Sequence, residues 1–157
     1  MNIVVTVDAE CYSGDYSREV YARGLGLPFI LDCLQQHRVH ATFFVEVLGA
    51  TRWGIAETHR MCRVISGAGQ EIQLHLHPSV ATLDGFVDRD DVLWNQDVAT
   101  QERLIRAGLD VLMQCGVKAS AFRAGDLAAS EDTLAAMKQV GLSISSNRDM
   151  DIRQWGF

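Results

Sequence analysis

The amino-acid sequence predicts an α/β fold in which about five parallel strands alternate with helices. Short apolar runs rich in β-branched residues recur along the chain, segments with helical apolar spacing lie between them, and glycines stand where several helices should end. Such an alternation favours right-handed crossovers and a parallel sheet. A complete eight-unit barrel needs about 250 residues, and this chain has 157. Five units therefore fit an open doubly wound sheet or part of a (β/α) barrel.

The first half of the chain supplies two strands and two helices. IVVTV, residues 3–7, predicts a first strand of the kind that is buried on both faces of a parallel sheet. The next helix should run from about Leu27 to Gln36, because Pro28 suits a first helical turn. ATFFVEV, residues 41–47, predicts the second strand. The second helix is predicted in residues 55–69, with four apolar residues on its inner face: Ile55, Met61, Val64 and Ile65.

The second half continues the same alternation. EIQLHLH, residues 71–77, predicts the third strand, and a long helix should cover residues 98–114. ASAFRAG, residues 119–125, predicts the fourth strand. A helix with Ser130 as its N-cap should follow and end at about Gly141. LSISS, residues 142–146, predicts a fifth strand.

Composition and charge argue against several classes of protein. With 48% hydrophobic and 22% charged residues, the chain is expected to form one globular domain over residues 1–157. A net charge of −6, spread along the chain, argues against nucleic acid or an anionic membrane as the main partner. No apolar run approaches the ~20 residues that span a bilayer. The four cysteines form no CxxC pair and the sequence starts directly on a strand, which favours free thiols and a cytoplasmic location.

The residues that can carry chemistry lie at the carboxyl ends of the predicted strands, where α/β folds place their functional sites. In the extended stretch EIQLHLHP, His75 and His77 share one face, and Pro78 favours an extended backbone before it. Asp8 and Glu10 share a face in the same way. A carboxylate and two imidazoles form an open ligand set typical of a catalytic metal site. The alternatives are packing or a pH-dependent role for the histidines, and helix capping or solvent exposure for the acids.

Arg123 ends the fourth predicted strand in the stretch FRAGD. A surface ion pair with Asp126 would contribute little stability. At the end of a buried strand, however, the arginine charge needs a partner, and Asp8 is the natural one. That pair would keep Asp8 ionised and fix its direction, as a base that takes a proton from water requires.

In this order, the motifs resemble those of the polysaccharide deacetylases, a family of carbohydrate esterases. TVDAE is similar to the first motif of that family, HRVHATFFV to its helix-to-strand segment, and GQEIQLHLHP to its histidine motif. AFRAGDLAASEDTLAAMKQVGLSISSN is similar to its arginine motif with the helix and strand that follow. The likeness runs from Asn2 to about Asn147. ATFFV and EIxLHLHP are specific in combination, and neither is specific alone.

The resemblance implies a deformed (β/α) barrel of fewer than eight strands. It also implies one divalent metal ion, usually zinc, and hydrolysis of an acetamide or a related amide. By position, Asp8 corresponds to the catalytic base of the family and Arg123 to the arginine that orients it. His75 corresponds to the first metal-binding histidine.

The sequence departs from the family pattern at the other two ligands. Ala9 fills the usual place of the metal-binding acid, so Glu10 must serve, as in branches of the family with a D-x-acid pattern. Ser79 fills the usual place of the second histidine, so His77 must substitute. The later family motifs, including the leucine-x-histidine that supplies the general acid, have no counterpart in the tail, residues 149–157. We therefore expect a fragment of a longer protein or a shortened relative.

The sequence thus predicts a metal-dependent hydrolase of carbon–nitrogen bonds other than peptide bonds. The favoured reaction is N-deacetylation of an acylated amino sugar or a related acylated amine. A hydrolase of small cyclic amides or ureides is the alternative among enzymes. A metal- or carbohydrate-binding remnant without turnover is the alternative from another class, and the missing general acid favours it. Self-association that covers an open sheet edge is a further alternative.

Overall fold

A computed structural model of the chain describes residues 3–22, 24–83 and 92–147. The described part contains five strands: β1 (Val5–Ala9), β2 (Ala41–Glu46), β3 (Glu71–Leu76), β4 (Ala121–Ala124) and β5 (Ile144–Ser145). Its α-helices are α1 (Tyr16–Glu19), α2 (Leu27–His37), α3 (Gly49–Trp53), α4 (Ile55–Gly67), α5 (Val98–Gln114) and α6 (Glu131–Gln139). Short 3₁₀ turns lie at Pro78–Val80, Leu93–Asn95 and Gly125–Leu127. The predicted alternation of strands and helices is confirmed.

The strand order decides between the two architectures that the sequence left open. All neighbouring strands are parallel, and their order in the sheet is their order in the chain, β1-β2-β3-β4-β5. Successive right-handed crossovers of this kind place the connecting helices on one face of the sheet. A doubly wound sheet would instead reverse its order at a switch point. The structure is therefore an open, five-stranded part of a (β/α) barrel.

The two faces of the sheet differ in chemistry. The face toward the helices is apolar, and its central side chains are fully buried: Phe43, Val45, Leu74 and Phe122. Helix α5 approaches this face closely because Gly108 has no side chain, and a β-carbon there would lie 2.8 Å from Cδ1 of Leu74. Since side chains alternate along a strand, the opposite, concave face receives the polar residues of the same strands. Glu46, His75 and Arg123 are partners in one row across β2, β3 and β4.

The prediction that the first strand is buried on both faces is wrong. The strand begins at Val5, and the preceding Ile3 and Val4 are 75% and 78% exposed. Within β1, Thr6 and Asp8 are also exposed. The reason is the position of the strand: among the described strands, β1 pairs only with β2 and therefore forms an edge of the sheet. Apolar content alone could not distinguish an edge strand from a central one.

Several element boundaries agree with the sequence, and β4 and β5 are shorter than predicted. Strand β4 has four residues, Ala121–Ala124, where seven were predicted. Helix α2 begins at Leu27 with Pro28 in its first turn, and Ser130 is the N-cap of α6, as predicted. The fifth strand has two residues, Ile144–Ser145, where five were predicted. The tail, residues 149–157, lies outside the described residues.

The predicted inner face of α4 is correct in part. Met61 and Ile65 are buried as expected, but Val64 is exposed. Thr58 and Cys62 are buried in its place. Positions 58, 61, 62 and 65 form one stripe at helical spacing, and this stripe includes a threonine that a search for apolar residues overlooks.

The structure also tests the expected state of the cysteines and the presence of membrane-spanning helices. All four cysteines are free, as predicted. Among the described residues, none of the helices combines the length and the apolar character needed to cross a membrane.

The interior strand β2 should carry much of the stability of the fold. Phe43 is fully buried there, whereas Phe29 on α2 is 50% exposed. We expect Phe43→Ala to lower the free energy of unfolding by about 3–5 kcal/mol, because it leaves a cavity. The matched change Phe29→Ala should alter it by about 0.5 kcal/mol or less. Urea denaturation measures both values, and equal losses in the two variants would contradict the described packing.

Candidate metal centre

Three side chains from two separate strands converge at the carboxyl edge of the sheet. Glu10 directly follows β1, His75 lies in β3, and His77 directly follows that strand. Oε1 of Glu10 lies 2.7 Å from Nε2 of His75 and 3.4 Å from Nε2 of His77. The two Nε2 atoms lie 3.2 Å apart. The predicted carboxylate and imidazoles therefore lie together on the concave face.

The second ring nitrogen of His75 fixes its tautomer. Nδ1 lies 2.8 Å from the backbone carbonyl oxygen of Arg123. A carbonyl oxygen can only accept a hydrogen bond, so Nδ1 carries a proton and donates it. In the neutral imidazole, Nε2 then has a lone pair and no proton, and it faces the carboxylate of Glu10. Two acceptors at 2.7 Å require a proton or a cation between them.

The donor set fits a divalent transition-metal ion. Around an ion with bond lengths of ~2.0–2.2 Å, neighbouring ligand atoms lie about 2.8–3.6 Å apart in octahedral to tetrahedral geometry. The observed separations of 2.7, 3.2 and 3.4 Å match this range closely. The bond from Nδ1 of His75 to a backbone carbonyl is the contact that commonly orients a metal-binding histidine. The role of the three residues as ligands stays a prediction.

Two neighbours place the ring of His77. Its backbone is extended, with φ −118° and ψ 120°, as expected for the residue before Pro78. Gly125 packs against the ring so closely that a β-carbon there would overlap Nδ1 and Cε1. Gly125 therefore gives His77 its space, a role that sequence reasoning missed. Ser79, at the usual position of the second histidine of the family, lies in the turn Pro78–Val80.

The carboxylate of Glu10 is strongly stabilised in its ionised form. When both imidazoles carry a proton on Nε2 in metal-free protein, hydrogen bonding from His75, and then from His77, holds the pKa of Glu10 far below its usual value, while partial burial opposes this effect. Tyr12 adds a third stabilising bond, since its hydroxyl donates to Oε2 of Glu10 over 2.7 Å. A carboxylate that stays ionised is available as a ligand over a wide pH range.

Arg123 reaches across the concave face to the first strand. Its Nη1 donates to Oδ1 of Asp8 over 2.6 Å, so the predicted pair is present. Asp8 therefore supplies the partner that the guanidinium charge requires, and the alternative pair with Asp126 is not needed. Nη2 donates to Oγ1 of Thr6 over 3.0 Å and to Oγ of Ser146 over 2.8 Å. The guanidinium carbon lies 4.2 Å from the centre of the Phe44 ring. These contacts fix the direction of Asp8, whose catalytic role stays a prediction.

Glu46 is a buried carboxyl group that the sequence analysis missed. It ends β2, pairs in register with His75, and is almost completely buried. Its two oxygens accept hydrogen bonds from the backbone amides of Leu48 at 2.7 Å and Gly49 at 3.0 Å. Burial raises the pKa of Glu46 to about 7, although these amides lower it in part. The sequence does contain a signal for this residue. Glu46 is an acid at the end of an otherwise apolar strand.

The fold is similar to that of solved carbohydrate esterases. One is a pseudoenzyme of the CE4 family from Bacillus anthracis, with a TM-score of 0.63 and 17% identity, which covers 90% of this chain and 41% of that one. A second is a family 4 carbohydrate esterase from Streptomyces lividans (TM-score 0.61, 15% identity, 90% and 60% covered). A third is the chitin deacetylase from the fungal pathogen Colletotrichum lindemuthianum (TM-score 0.60, 20% identity, 91% and 54% covered).

These likenesses confirm the resemblance to the polysaccharide deacetylases at the level of the fold. No protein-family model and no curated protein matches the sequence. The chain spans between two fifths and three fifths of the length of the three structures. The three structures include a pseudoenzyme as well as a chitin deacetylase.

The raised pKa of Glu46 predicts a pH dependence of stability in metal-free protein. Between the ordinary value of 4.5 and the value of about 7 in the folded protein, the folded state holds a proton that the unfolded state has lost. The free energy of unfolding should therefore fall as pH rises through this window, by about 3 kcal/mol at most from this group. Glu46→Gln should remove that decline.

Denaturation in urea with a chelator, repeated at several pH values, measures this effect. Exposed Glu131, changed to Gln, is the matched control and should follow the wild-type curve. The slope with pH is the relevant quantity, because Gln can replace only one of the two accepting oxygens and lowers stability at every pH. Parallel curves for Glu46→Gln and wild type would contradict the assignment.

Proposed function

We propose that the protein is a metal-dependent hydrolase of carbon–nitrogen bonds in amides other than peptides. The proposed reaction removes the N-acetyl group from an acylated amino sugar or a related amine. The single observation that carries the proposal is the group formed by Glu10, His75 and His77 beside the Asp8–Arg123 pair. The likeness in fold to a chitin deacetylase and to an esterase solved with acetate supports the choice of reaction.

Glu10, His75 and His77 would hold one divalent metal ion, for which zinc is the proposed identity. Two imidazoles and one carboxylate suit zinc and leave positions open at the site. When bound, the ion supplies Lewis-acid activation of a water molecule and of the acyl oxygen. The contact between Nδ1 of His75 and a backbone carbonyl holds that ring in the tautomer that binds through Nε2.

Asp8 is proposed as the general base. Its carboxylate lies on the same face as Glu10, two residues earlier in the chain, and is exposed to solvent at the edge of the sheet. Arg123 binds one carboxylate oxygen, Oδ1, and so sets the direction of the other. An oriented carboxylate can take a proton from the attacking water, which is the role assigned to Asp8.

A second candidate function is metal or carbohydrate binding without turnover. A pseudoenzyme from Bacillus anthracis has a similar fold. Such a protein would bind the same metal and the same class of ligand, so that only hydrolysis distinguishes the two functions.

Two further predictions concern the setting of the protein. The four free cysteines support a reducing compartment, for which we propose the cytoplasm. Strands β1 and β5 are the two edges of the described sheet. Self-association through such an edge stays a prediction.

Hydrolysis by zinc-loaded protein tests the proposed function. N-acetylated chitooligosaccharides should release acetate, whereas a small cyclic ureide should remain intact. Asp8→Asn should lower the rate by about 10²–10⁴-fold, because the base is lost. Asp110→Asn, at an exposed position on α5, is the matched control and should leave the rate unchanged.

A parallel measurement of zinc affinity separates binding from catalysis. His75→Ala should lose zinc and activity together, and His37→Ala, at an exposed position at the end of α2, should lose neither. Tight zinc binding without any acetate release would favour the binding function. Turnover of the ureide alone would favour a cyclic-amide hydrolase. Hydrolysis that persists unchanged in Asp8→Asn would exclude the proposed base.

A further inference from the structure

Tyr12 contacts two of the three candidate ligands. Its hydroxyl donates a hydrogen bond of 2.7 Å to Oε2 of Glu10. Its ring packs edge-on against the ring of His77, with centroids 5.2 Å apart and an angle of 77° between the planes. Both contacts come from one side chain on the loop between β1 and α1. Tyr12 therefore couples the position of the carboxylate to that of an imidazole.

The two oxygens of Glu10 have separate partners. Oε1 faces Nε2 of His75 and Nε2 of His77, whereas Oε2 accepts from Tyr12. A carboxylate whose second oxygen holds a hydrogen bond is oriented to bind an ion through the first oxygen only. Without that bond, the group can rotate or can bind the ion through both oxygens. The hydroxyl of Tyr12 thus determines which oxygen is presented to the histidines.

The backbone of Tyr12 is itself anchored. Its amide donates to Oε2 of Glu19 on α1 over 2.8 Å. Hydrogen bonding from the Ser13 side chain, together with bonds from Cys11 and the backbone of this loop, lowers the pKa of Glu19 to about 2. Glu19 is therefore ionised at neutral pH and accepts several bonds from residues 11–13. The loop that carries Tyr12 is therefore held against α1. This anchoring fixes the position from which the phenol contacts Glu10.

We propose that Tyr12 is a positioning residue of the metal centre, which holds Glu10 as a one-oxygen ligand and braces the ring of His77. This inference rests on the proposed function, since it assumes that the three side chains bind a divalent ion. Tyr12 lies outside the sequence motifs to which a chemical role was assigned. Outer contacts of this kind commonly contribute about 10–100-fold to metal affinity.

The change Tyr12→Phe tests the proposal, because it removes the hydroxyl and keeps the ring beside His77. Zinc affinity, measured by competition with a chromophoric chelator, should fall by about 10–100-fold. The matched control is Tyr21→Phe: among the described residues, the hydroxyl of Tyr21 is buried and has no hydrogen-bond partner. Zinc affinity of Tyr21→Phe should equal that of wild type.

A spectroscopic measurement distinguishes positioning from a general structural role. In cobalt-loaded protein, the visible spectrum reports the number of ligands around the ion. If Oε2 of Glu10 becomes available, the coordination number should rise and the intensity of the bands should fall in Tyr12→Phe, but not in Tyr21→Phe. Thermal denaturation in the presence of a chelator should show that both variants fold as stably as wild type, within about 1 kcal/mol for Tyr12→Phe.

The outcomes separate this inference from the proposed function. Wild-type zinc affinity and an unchanged cobalt spectrum in Tyr12→Phe would overturn the role of Tyr12 and leave the metal site intact. Failure of the wild-type protein to bind either ion would overturn the proposed metal site itself. A loss of affinity in Tyr12→Phe, with no loss in Tyr21→Phe and a changed cobalt spectrum, would support the positioning role.

Discussion

Three candidate ligand atoms face one another at the carboxyl edge of this sheet, and much of the surrounding structure holds them there. Oε1 of Glu10 and the Nε2 atoms of His75 and His77 lie within 3.4 Å of one another. Without a proton or a cation between them, the carboxylate oxygen of Glu10 and Nε2 of His75 would repel. Local features nevertheless fix the approach of each group: a backbone carbonyl for His75, the bare α-carbon of Gly125 for His77, and the phenol of Tyr12 for the carboxylate. A divalent cation is the common partner that we propose for all three.

Arg123 connects this group of acceptors to the proposed base. Its carbonyl oxygen accepts the proton of Nδ1 of His75, and its guanidinium group binds Asp8. The same guanidinium group contacts Thr6 on β1, Ser146 after β5, and the ring of Phe44. A single residue on β4 thus orients a candidate ligand with its backbone and a candidate base with its side chain. Because this contact joins β4 to β1 across two intervening strands, the sheet must curve toward this face.

How much of this arrangement the sequence predicted depends on how far apart in the chain the interacting residues lie. Alternation along a strand depends on local geometry only, so the shared faces of His75 with His77 and of Asp8 with Glu10 could be read directly. The burial of β1 could not, because it depends on which strands lie beside it. Glu46, Gly125 and Tyr12 were missed for the same reason: each lies beside a histidine that the fold brings close, and the pattern around it in the chain resembles an ordinary strand end or turn. Glu10 and His75 themselves are 65 positions apart, and their meeting was inferred from the rule that parallel strands end at one edge and from the resemblance to the polysaccharide deacetylases.

The central claim is that Glu10, His75 and His77 share one metal ion, and the most direct test is X-ray absorption at the zinc edge. Protein loaded with one equivalent of zinc and dialysed should show a first shell of nitrogen and oxygen donors, with the multiple scattering of two imidazole rings and no sulfur. A shell that contains sulfur, a shell without imidazole, or the loss of zinc on dialysis would contradict the account.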